Sequence, residues 1–325
     1  MKIEHSSGKR LGDSGAMMSF NLLGESAALI TSVLWTTCSI LFAYAGRRIG
    51  ALSVNGFRIL MAVGMLSGAH ILFLGTIIPH ANSAQWLYMS LSGVIGLALG
   101  DFGYFGTLVI LGPRRGTLLM SFAAVFATIS GYLILNEILG PWTLFGIIIT
   151  LMGITWVILE SEEQSNELPL SSKEKIVGVL LGLGGAAGQG VGLVISKYGM
   201  SVVADDPSVP LNPLSATLIR MIAAAIFIWI VIIIFGKFKK VINSAADKKG
   251  MKATFGGAFF GPFLGVTLSM VAVTYALAGV AQTLMSLMPV MVIPFVWVLY
   301  KQKTSWRGIL GAVIAIVGVS ILFLF

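Results

Sequence analysis

The chain has 325 residues, of which 57% are hydrophobic and only 10% charged, with mean hydropathy +0.94 and a formal net charge of +8. Soluble proteins are about a quarter charged, so a water-facing surface could not be covered here and a soluble fold is excluded. About ten apolar stretches reach the roughly 20 residues that cross a bilayer, and long alternating strands are absent, which points to an all-α polytopic membrane protein rather than a barrel.

Residues 1–24 form a polar tail of mixed charge. No convincing cleavage site follows the first apolar run, so no removable signal peptide is expected. Helices are expected over 25–46, 53–75, 85–111, 116–136 and 141–160. After a polar linker at 161–175, five more follow over 176–198, 214–236, 254–277, 280–300 and 305–325. Arg47-Arg48-Ile49-Gly50, Pro79-His80-Ala81-Asn82, the Gly112–Gly116 segment and Asn136 to Pro141 mark the breaks. The single cysteine, Cys38, lies in an apolar run and excludes a disulfide framework.

The two halves, 25–160 and 176–325, repeat each other. Gly100 and Gly265, Ser121 and Ser286, Gly146 and Gly311, and Gly153 and Gly318 match at an offset of 165. Arg58 and Arg220 match at 162, the difference fitting a longer loop between helices 7 and 8. With five helices per half, the second copy enters the membrane from the opposite side. Inverted repeats of this kind are a transporter signature, with substrate bound at their interface.

The order of these features resembles the EamA-like branch of the drug/metabolite transporter superfamily over nearly the whole chain. Arg58 and Arg220 lie early in helices 2 and 7, and Gly100-Asp101-Phe102-Gly103-Tyr104 lies in a glycine-rich helix 3. Arg114-Arg115-Gly116-Thr117 through Ser121, and Tyr132 through Asn136-Glu137 into Trp142–Gly146, complete the pattern. The resemblance implies a ten-helix transporter, often an exporter, of small metabolites. Relatives often have proline where this chain has Ala124, whereas Pro289 stands at the matching place in helix 9; whether helix 4 carries a hinge is left open.

Charge bias suggests an orientation. Lys2, Lys9, Arg10 and Lys197 lie on the N-terminal side. Facing them are Arg47, Arg48, Arg114, Arg115, Lys173, Lys175, the lysines from Lys237 to Lys252, Lys301, Lys303 and Arg307. The richer side is expected in the cytoplasm of a cell (inner) membrane, with both termini outside. The family resemblance points the other way, to cytoplasmic termini.

Four charged residues fall inside apolar runs: Glu25, Arg58, Asp101 and Arg220. An ionised group at membrane depth is costly and marks a functional candidate. Asp101, roughly 15 Å from the far end of helix 3 at 1.5 Å per residue, could carry a proton, bind a substrate ammonium group, or pair with Arg58. Arg220 has no obvious acid in helices 6 to 10; it could receive a substrate carboxylate or phosphate, or reach headgroups. Arg58 and Arg220 sit towards opposite faces, which suits gating or anchoring, and Pro289 offers a hinge. Trp35, Tyr104, Ser121, Gln189, Tyr275 and Ser286 are candidate pocket lining with Asp101. They converge on helices that line the cavity in the family resembled. Glycines at spacing three and four in helices 3 and 6 suit close helix packing, or a sliding surface.

His5, His70 and His80 show no ligand spacing, and no P-loop or hydrolase triad is visible, so neither a metal nor another cofactor is expected. The basic loops point to a lipid surface and not to nucleic acid. The expectation is a secondary transporter, favouring export, of a small metabolite, amino acid or drug-like compound, with proton coupling through Asp101. It would act as a monomer or a homodimer. A membrane-embedded enzyme acting on lipid or isoprenoid substrates is the alternative.

Overall fold

The computed structural model describes residues 10–160, 171–206, 209–291 and 305–324. Helices account for its architecture, and no strand occurs among the described residues. Without water to bond the backbone, a chain crossing lipid must close its hydrogen bonds within each segment, as helices do.

Helix α1 (Arg10–Ile49) ends at Gly50, whose φ of 84° a side chain would resist, and α2 (Ala51–Leu74) starts directly after it. A left-handed Gly75 caps α2 by returning its N–H to Ile71. Asn82 opens α3 (Ser83–Ser92) through a reciprocal capping box with Gln85. The helix then widens into a π-helical segment, Gly93–Gly100, and continues as α4 (Asp101–Ser121). The predicted turn at Gly112–Gly116 retains helical backbone, yet the chain does reverse there. A Cβ on Gly116 would lie 3.6 Å from the Cα of Leu108, whereas eight residues of straight helix span about 12 Å. Helix α5 (Ala123–Leu135) ends at left-handed Asn136, and α6 (Pro141–Glu160) begins on proline.

Ser171 and Glu174 form a second capping box at the start of α7 (Ser172–Lys197), which ends in a π-helical turn, Tyr198–Val202. Helix α8 (Pro213–Ile234) is capped by Asn212. The stretch expected as loop before residue 254 holds a short helix, α9 (Phe238–Ser244), anchored by buried Val241, and then the start of α10 (Lys248–Ala258), capped by Asp247. A π-helical segment, Phe259–Gly265, joins α10 to α11 (Val266–Tyr275). Helices α12 (Ala278–Met285) and α13 (Trp306–Leu324) complete the described chain.

Nine of these stretches are long and apolar enough to span a membrane among the described residues, and Ala278–Met291 is a shorter apolar helix at their edge. The first repeat holds five, so the second enters from the opposite face. Lys301 and Lys303, residues 1–9 of the polar tail and most of the linker lie outside the described residues, whereas the rest of the stretch expected as tail is helical, because α1 starts at Arg10.

The repeats agree in their irregularities as well as their helices. The π-helical segments end at Gly100 and Gly265, 165 residues apart. The break between α4 and α5 falls at Phe122, and α12 breaks at Ser286 and Leu287, again at that offset. The fourth span is therefore broken at this place without proline. Phe122 donates to Leu119, three residues back, and the Ser121 hydroxyl donates to the Leu118 carbonyl at 2.7 Å. Ser286 does the same to Gln282 at 2.8 Å, one turn ahead of Pro289. A hydroxyl bonded back to the preceding turn competes for its carbonyl and bends the helix.

Glycines set the tightest contacts. Gly146 and Gly153 of α6 face Gly311, Ala315 and Gly318 of α13, and a Cβ on Gly153 would fall 2.7 Å from the Gly311 carbonyl oxygen. Helix α7 lies as closely on the third span: Gly185 faces the Gly100 carbonyl, and Gly192 faces Gly96. Ser92 pins that seam by donating to the Gly192 carbonyl at 2.6 Å.

Gly153→Leu should cost about 1–3 kcal/mol through overpacking. Gly184→Leu, at an exposed position where an added Cβ meets nothing within 4 Å, should leave the unfolding temperature unchanged. Thermal unfolding of the two variants side by side checks this.

At the loop before α10, Arg48 pairs with Asp247 at 2.9 Å. The Arg48 hydrogen bonds, and then the Gly250 N–H, hold that carboxyl below its ordinary value of 3.8. A lowered carboxyl contributes fully above its unfolded value and is lost only as pH falls through the folded one, so proteolysis of 235–247 should stay constant down to about pH 4 and rise below it.

Candidate functional site

A cavity of about 770 Å³ lies between the repeats. Its mouth is marked by exposed Arg47 and Ala51 at the α1–α2 turn, and it reaches Leu108, Thr117, Val157 and Ile158 on the same membrane side. No described residue of the opposite turns, 75–82, 136–140, 198–212 or 276–277, lines it. It therefore opens towards the face that carries the basic loops.

Helices bring together eight of the ten residues singled out from sequence. Trp35, Arg58, Asp101, Tyr104, Ser121, Gln189, Ser286 and Pro289 all line the cavity, from six different spans. Asp101 starts α4 where the π-helical segment ends, and accepts from both Arg58 and Gln189, the latter at 2.9 Å. Arg58 also donates from Nε to the Asn55 side chain at 2.9 Å. Its guanidinium sits 5.5 Å from the ring centres of both Phe42 and Phe105. Both charged side chains keep 11% exposure, so the pair is reachable from the cavity.

Two residues fall elsewhere. Tyr275 does not line the cavity; as the last residue of α11 it lies at the opposite face, beside Gly24 of α1. Arg220 does not line it either. It is 2% exposed, with its backbone against Gly93 and its guanidinium beside Gly96. Nη1 meets the Met270 sulfur at 3.2 Å, and Nε has no hydrogen-bond partner among the described residues. Seven residues into α8, it lies about 10 Å from the face opposite the cavity mouth.

Sequence reasoning passed over Cys38, Ser39, Phe42, Phe105 and Gln282, all of which line the cavity. Helical spacing carried the signal: Cys38 and Phe42 follow Trp35 at three and seven residues, and Gln282 precedes Ser286 by four.

The lining is mostly apolar, with one charged cluster on one wall, which suits a small amphiphilic molecule with a polar head. A two-repeat helical membrane protein with an interfacial cavity is the architecture of a membrane transporter. The sequence pattern of the EamA-like transporter family matches residues 22–159 and again 176–324, and the chain belongs to that family. No curated protein matches the chain at a significant level. One solved structure, described only as the crystal structure of a protein, superposes over 93% of this chain and 96% of its own, with a TM-score of 0.69 at 18% identity. At that identity it shows a shared fold.

Asp101→Asn and Arg58→Met should each lower the unfolding temperature, since each leaves a mostly buried partner behind. The double variant should lose less than the sum, with a coupling of about 0.5–3 kcal/mol. Strictly additive losses would show that the two side chains do not support each other.

Proposed function

We propose that this protein is a secondary transporter that moves a small metabolite, amino acid or drug-like compound by alternating access, with export driven by proton entry through Asp101. The observation that carries the reading is the cavity of about 770 Å³ between two repeats, lined at one end and absent at the other. Its size falls in the range of small-molecule sites, about 300–1,000 Å³. The matched π-helical segments and breaks give each half a deformable place at the same depth, which suits rocking of one half against the other. The basic loops on the mouth side favour a cytoplasmic opening and outward termini. Loading from that side is the geometry an exporter needs.

Asp101 supports proton coupling because it is the one acid lining the cavity among the described residues. Arg58 and Gln189 hold its oxygens, and a conformation that loosens those bonds would free the carboxyl to take part in proton transfer.

Proteoliposomes holding an internal pH dye test this with pooled amino acids, related metabolites and cationic drugs. The expected result is saturable movement with a substrate-dependent pH change, abolished by Asp101→Asn while exchange of the same substrate survives. Movement without a pH change, equal in the variant, would leave a facilitator or exchanger and reject proton coupling.

A further inference from the structure

We propose that Glu137 and Lys197 form the latch that seals the cavity from the face opposite its mouth; this rests on the alternating-access reading. Glu137 belongs to the first repeat. It follows Asn136, whose left-handed backbone turns the chain out of α5. Lys197 ends α7 in the second repeat. Their side chains meet at 2.6 Å and keep 10% and 17% exposure, so the pair is largely withdrawn from water.

Both groups also grip the turn between α11 and α12. The Lys197 ammonium donates to the Ala276 carbonyl at 2.6 Å, and the second Glu137 oxygen accepts from the Ala278 N–H at 2.8 Å. That carbonyl and that N–H belong to helix ends, which have no intrahelical partner of their own. The turn is seated on its other sides as well. Gly24 of α1 would put a Cβ 2.7 Å from the Ala276 nitrogen, and Gly279 lies directly on Thr128 of α5. One ion pair therefore ties the α5–α6 turn of the first repeat to α7 and the α11–α12 turn of the second. These parts must separate if the cavity is to open on that face. The device is one-sided in the sequence: at the offset of 165 from Glu137 stands Gln302, which has no charge to offer a lysine.

The protein carries its own reporter, because its single cysteine, Cys38, lines the cavity. A membrane-impermeant thiol reagent applied to right-side-out and to inverted vesicles reads access from each face. Cys38 is 8% exposed, so labelling is slow overall, and wild-type protein is expected to label faster from one face than from the other. Glu137→Gln and Lys197→Met should each raise the slow rate by about tenfold, a coupling of ordinary size between two states. Lys197→Arg should stay near wild type. The fast rate and a monodisperse elution profile should be unchanged throughout.

Unchanged slow rates in both neutralised variants would overturn the latch, as would equal labelling of the wild type from both faces. Variants that are not monodisperse would make the pair a folding element and overturn it too. The assay needs no substrate. A failed search for transport would therefore count against the proposed function and leave the labelling result standing.

Discussion

Lipid offers no hydrogen bonds, so a polar group at membrane depth in this chain is costly unless it finds its partner inside the protein. The cavity wall shows the constraint most directly. Asp101 is held by Arg58 and Gln189, and Arg58 by Asn55 and two aromatic faces. Gln189 reaches Asp101 only because α7 lies almost backbone to backbone on the third span, through Gly185, Gly188 and Gly192. Larger residues along that seam would move the amide away and strand the carboxylate. Close packing and the electrostatics of the site are therefore one arrangement.

The repeats are alike in backbone and unlike in charge. At the offset that matches the π-helical segments, Asp101 faces Val266 and Phe105 faces Met270. Arg220 therefore meets a methionine sulfur where Arg58 has a phenylalanine ring, and lacks the carboxylate that its counterpart has. Inversion places Arg58 in the open half of the molecule and Arg220 in the buried half.

Much of this was legible in the residues. Span positions follow from hydropathy, and the repeat follows from glycines and serines at a fixed offset. Eight cavity-lining residues stood out because polar and aromatic groups are rare in apolar helices. What escaped had no such contrast. Cys38, Phe42 and Phe105 look like core until the helices are assembled. The break at Phe122 lacks its usual marker, proline, and coincides with Ser121 bonding backwards. Tyr275 does not line the cavity, because it is the last residue of α11, at the end of that helix away from the mouth. Capping geometry of this kind depends on where the next helix begins. The ion pair of Glu137 and Lys197 joins residues 60 positions apart, from two turns that only the assembled fold brings together.

The contact between α6 and α13 obeys a further rule. Gly146 meets Gly318, and Gly153 meets Gly311; at the offset of 165 each of these contacts is the counterpart of the other. A surface that is complementary to itself in this way is isologous, the form a two-fold dimer interface takes. Here it is satisfied within a single polypeptide, so the helix pair behaves as a dimer whose halves are permanently tethered. Tethering replaces an association that depends on concentration with one set by the reach of the connecting chain, and dilution in a membrane no longer separates the halves.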